Sequence, residues 1–106
     1  MPAYGEFNQA LTVAIKRVAA GQGSANVKFS PHSEHQMEAR NFDHDDVMTC
    51  LRKGKAYGPE MRNGDLRANV VHRGLHIRVA VGGLLGISPD WSRLQVVVVA
   101  TVMEAE

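Results

Sequence analysis

The stretch LRANVVHRGLHIRVAV, residues 66–81, decides the fold. On either side of Arg73-Gly74 the residues alternate with period two, which is the pattern of half-buried strands. The two residues between the runs have the spacing of a tight hairpin turn, although Arg-Gly is not the best pair for one. A two-residue turn fixes the register. His72 faces Leu75, Val70 faces Ile77, Ala68 faces Val79 and Leu66 faces Val81. Leu66, Ala68, Val70, Leu75, Ile77, Val79 and Val81 then share one face, the expected core face. The other face carries Arg67, Asn69, Val71, His76, Arg78 and Ala80. One hairpin thus presents two arginines, an asparagine and a histidine on a single surface.

Working outward, residues 94–102 (LQVVVVATV) read as an almost continuous apolar strand, as a central strand requires, and residues 55–61 as a further edge strand. Between them, GGLLGISPDWSR (82–93) is a long loop rich in Gly and Pro. Upstream the period changes. EFNQALTVAIKRVAA (6–20) places Phe7, Ala10, Leu11, Ala14, Ile15 and Val18 at helical steps of three and four. Gly21 and Gly23 stop this helix, and the following joint would let it pack as an appendage. Ser30 and Pro31 start a second helix, which runs to about Arg40 and ends at Asn41, a residue that tolerates a left-handed cap. Asp43, with Asp46 three residues on, starts a third, which ends at Gly54. The expected class is α+β: N-terminal helices followed by a three- to four-stranded antiparallel sheet. Residues 1–106 form one domain, with 1–23 as a helical extension and 28–103 as the core.

The 106 residues suffice for one domain. A net charge of +1 excludes an argument for nucleic-acid binding from total charge. Its distribution says more. Residues 34–46 carry five acids against one arginine, and residues 52–78 carry seven basic residues against two acids. A basic sheet beside acidic helices points to an anionic ligand. A single cysteine, Cys50, rules out an intrachain disulfide, and its place between Val47 and Leu51 marks it as a core thiol. The N-terminus lacks the pattern of a signal peptide, and no apolar run approaches the ~20 residues of a membrane span, so a cytoplasmic location is expected.

His32, His35, His44 and the nearby acids match no specific zinc spacing, and no metal or cofactor is expected. The GGLLG run lacks the Lys and Ser/Thr of a phosphate loop.

Residues 29–54, FSPHSEHQMEARNFDHDDVMTCLRKG, resemble the opening of a bacterial domain-of-unknown-function family (number 4258). The matching positions are Ser30, His32, Met37, Arg40, Phe42, Asp46, Val47, Leu51 and Gly54. The likeness continues through the strand arginine Arg67 to the Val-rich run ending at Thr101, with Ala68 where the family often has an aromatic. That family is similar to the RelE/ParE-like toxins of the barnase–EndoU–colicin–RelE group. The resemblance implies a RelE-like fold and a toxin-type, metal-independent endoribonuclease. Its partners would be RNA and a cognate antitoxin, with a homodimer as a further option. On this reading His32 is the acid or base, and Arg40 and Arg67 hold the phosphate. His76, Arg78 and Thr101 are further catalytic candidates. Lys53, Lys55, Asn69 and Arg73 contact RNA, and Tyr57 or Trp91 stacks on its bases. The alternative is a non-enzymatic protein- or nucleic-acid-binding module on the same fold.

Overall fold

The structure, a computed structural model, describes residues 4–21, 26–62, 65–81 and 90–105. The elements run α1 (Gln9–Ala19), β1 (Val27–Phe29), α2 (Pro31–Arg40), α3 (His44–Lys53), β2 (Lys55–Arg62), β3 (Asp65–His72), β4 (Leu75–Ala80), a 3-10 turn (Trp91–Arg93) and β5 (Val97–Glu104). The joint around Gly23 and the GGLLG run lie outside the described residues.

Each helix begins where a side chain can take an orphaned backbone N–H. Asn8 accepts from Leu11 N, Ser30 from Ser33 N, and Asp43 from Asp46 N. Asp46 returns a bond to Asp43 N, closing a capping box. Asn41 ends α2 in the left-handed conformation, at φ 60°. These starts and stops agree with the sequence within a residue or two, apart from α1, which starts after Asn8 and not at residue 6.

The five strands form one mixed sheet in the order β1-β5-β4-β3-β2. The expected three or four antiparallel strands are therefore corrected. β1 adds a fifth strand, parallel to β5 through Val27↔Val97 and Phe29↔Val99. At three residues it is too short to show a period, and its partner lies some 70 residues downstream. The β3–β4 register matches the expectation: His72↔Leu75, Val70↔Ile77 and Ala68↔Val79. β5 starts at Val97, three residues later than expected. Leu94 belongs to the turn before it, where Arg17 Nη2 donates to the Leu94 carbonyl at 2.8 Å.

The helices and the sheet close on one core. Leu11, Ile15, Val47, Leu51, Val70, Ile77, Val79, Val97, Val99 and Val102 are all fully buried. α1 packs in that core against α3 and β2 and is not an appendage; Thr12 Oγ1 accepts from Ala56 N at 2.9 Å. β5 runs past the end of β1, and α2 covers the gap: Gln36 Oε1 accepts from Val102 N at 2.8 Å. Among the described residues no helix is long and apolar enough to cross a membrane.

Candidate functional site on the sheet face

The sheet face away from the core collects the polar residues of three strands. Register places Asn69, Arg78 and Thr101 in one cross-strand row, with Tyr57 beyond Asn69 on β2. Neighbours in such a row have Cβ atoms about 5 Å apart. Arg67 lies two residues from Asn69 along β3, and His76 two residues from Arg78 along β4, each about 7 Å away.

Thr101 reaches this face because β5 is irregular. Strict alternation from Val97 and Val99 would send residue 101 into the core. The register shifts between Arg78/Thr101 and Val79/Val99, so Val102 turns inward and Thr101 faces Arg78. A bulge of this kind re-aims side chains beside it.

Hydrogen bonds fix the middle of the cluster. Asn69 Nδ2 donates to the Tyr4 carbonyl at 2.9 Å, which orients the amide. Its Oδ1 can only accept, so His76 Nε2–H donates to it at 2.7 Å. With the amide so oriented, Nε2 is the donor nitrogen of His76 in this bond. The Tyr4 ring lies edge-on to His76 with centroids 4.7 Å apart, and 5.7 Å from Tyr57. The segment before α1 is strapped to β2 by Gly58 N donating to Glu6 O at 2.8 Å and Asn8 N to Ala56 O at 2.9 Å. Tyr4 was not singled out in the sequence; it precedes the first periodic segment, so no pattern marks it.

Three polar atoms here are sealed from water without a hydrogen-bond partner among the described residues: Arg67 Nε, Arg78 Nε and Tyr4 Oη. Burying a donor unpaired is costly, so such atoms flag a place where a ligand can complete the bonding. The nearest carboxylate to Arg67 is Asp65, at a loose 3.9 Å.

The other candidates are dispersed. Lys55 pairs with Val71 at the end of the same face. His32 and Arg40 are exposed at opposite ends of α2, about 12 Å apart along its axis. No hydrogen bond or ion pair of the described residues links either to the sheet face. Lys53 and Arg73 line one cavity on the helical side of the sheet. Trp91 packs beside Val13 and Arg17 of α1, away from Tyr57. His44 Nε2 bonds Glu34 Oε1 at 2.9 Å, and among the described residues no group of three or more metal-ligating side chains is placed to hold an ion.

Comparison with family models, with curated proteins and with solved structures finds no match.

Proposed function

We propose that the chain is a metal-independent endoribonuclease of toxin type, acting at the polar, half-buried sheet face. The observation that carries this reading is the grouping of Arg67, Arg78 and His76 with two buried, unpartnered guanidinium N–H groups. Phosphate oxygens are the acceptors that suit a guanidinium fork. His76 takes the proton of the ribose 2′-hydroxyl, and the 2′ oxygen bonds phosphorus. The bond from phosphorus to the 5′ oxygen breaks, and a solvent water supplies the proton to that leaving oxygen. Proton exchange with solvent then returns His76 to its neutral form. The products are a 2′,3′-cyclic phosphate and a 5′-hydroxyl end, while the arginines carry the charge that builds on the phosphoryl oxygens. Asn69 holds the ring of His76, Thr101 and Lys55 extend the polar face, and Tyr57 offers a surface for a base.

The resemblance of residues 28–103 to the toxin-related family supports the same class. With it go a RelE-like fold, a cytoplasmic site of action, and a cognate antitoxin or second copy as protein partner. Expression of the chain under tight induction tests the reading. Growth arrest by the wild type, with RNA decay in extracts containing EDTA, is expected; Arg67→Ala should remove both without lowering the melting temperature.

A binding module is the second reading, and one observation favours it: Tyr4 already occupies Asn69 and covers one edge of His76. On that reading folded protein retains RNA or a protein partner, cuts nothing and arrests nothing.

A further inference from the structure

Lys53, His72 and Arg73 line a cavity of about 450 Å³ beneath α3, with Phe42 and Leu75 among its apolar walls. Leu75 belongs to the core side of the hairpin, so this cavity lies across the sheet from Arg67 and Arg78. Its volume is in the range of small-molecule sites. Two side chains here are cationic at neutral pH and His72 adds a third donor, against one carboxylate, Asp46. That carboxylate is already engaged, its Oδ2 accepting from Asp43 N at 3.0 Å.

The backbone supplies a second, independent observation. Among the described residues, Asn41 and Arg73 are the non-glycine residues with positive φ, at 60° and 44°, and both line this one cavity. Asn41 is a favoured residue in that conformation; Arg73 is not. A hairpin turn of this shape is best served by Asn or Gly. At φ 44° Arg73 stands against its backbone preference with its side chain on this cavity, an outlier that points to a use for that side chain.

We propose that this cavity binds a phosphate monoester of nucleotide size. Arg73 and Lys53 grip the phosphate, His72 donates to it, and the apolar walls at Phe42 and Leu75 receive the body of the molecule. The site is independent of the sheet face and needs no cleavage activity.

The test is an NMR titration of the full chain with inorganic phosphate and with adenosine 5′-monophosphate, at constant ionic strength set by chloride. Saturable shifts at the Asn41, Lys53 and Arg73 amides are expected, with the monophosphate binding more tightly than inorganic phosphate. Arg73→Asn preserves the turn and should weaken binding about tenfold or more, as loss of a charge-assisted bond implies. Lys53→Gln should do the same, and Lys16→Gln, an exposed charge on α1, should leave the affinity unchanged. Shifts that fail to saturate, that follow chloride alone, or that survive Arg73→Asn would overturn the proposal. Equal affinity for the two probes would overturn it as well, because the apolar walls would then hold nothing.

Discussion

Arg73 carries the largest local conflict between residue and backbone. With φ 44° at Arg73 and φ 80° at Gly74, the β3–β4 turn needs two positive φ values, and an L-residue with a Cβ pays about 1–2 kcal/mol for one. Arg73→Asn should therefore raise stability by about 1 kcal/mol, read as a higher urea midpoint with an unchanged slope. A loss of stability would mean that the arginine side chain, not the turn, sets the energetics there. Cys50 shows the opposite case, a residue in full agreement with its surroundings. It is buried, with Sγ 3.8 Å from the carbonyls of Val70 and Leu75. Burial pushes its thiol up from 9.0 to about 12. The native state thus favours the protonated thiol. Its contribution is complete below pH 9 and is lost as pH rises through about 12. Unfolding measured from pH 8 upward should show stability falling beyond pH 9, and Cys50→Ala should flatten that slope. An equal fall in Cys50→Ala would assign it to other groups.

At the scale of elements, the junction of α3 and β2 is the tightest of the described glycine positions. A Cβ on Gly54 would lie 2.6 Å from Cys50 O, 2.8 Å from Val71 O and 2.9 Å from a Val70 methyl. Two of these are backbone atoms, so the helix would have to move off the sheet. Gly54→Ala should cost about 3 kcal/mol, near the top of the range for overpacking, and thermal unfolding would show it. The elements also show where sequence reasoning reaches. The hairpin register was legible because a period of two and a two-residue turn leave one pairing that buries a whole apolar face. The starts of α2 and α3 were legible because Ser30 and Asp43 cap through local bonds. β1 was not, since three residues carry no period and the pairing with β5 is decided by tertiary contact. The outward turn of Thr101 was equally hidden. A bulge in a run of valines leaves no mark on composition, and alternation alone would have placed that threonine with Val97 and Val99.

The whole molecule has two unlike sides. Helices bury the apolar side of the sheet, and the other side gathers Arg67, Asn69, His76, Arg78 and Thr101 under the Tyr4 strap. Four of those five lay on one face by parity of the hairpin alone. What sequence could not supply was the position of α2 relative to that face, so His32 and Arg40 stood level with Arg67 as candidates; the structure leaves them exposed on the helix. The proposed activity is cleavage of RNA at the sheet face, with His76 as the proton acceptor. The most direct measurement is cleavage of single-stranded RNA by purified protein in EDTA, comparing wild type, His76→Gln and His32→Ala, each shown folded by its melting temperature. A loss of about 100-fold or more is expected in His76→Gln, the usual scale for an acid–base group, and a rate within about twofold of wild type in His32→Ala. Full activity in His76→Gln, or its loss in His32→Ala alone, would contradict it and move the chemistry to α2.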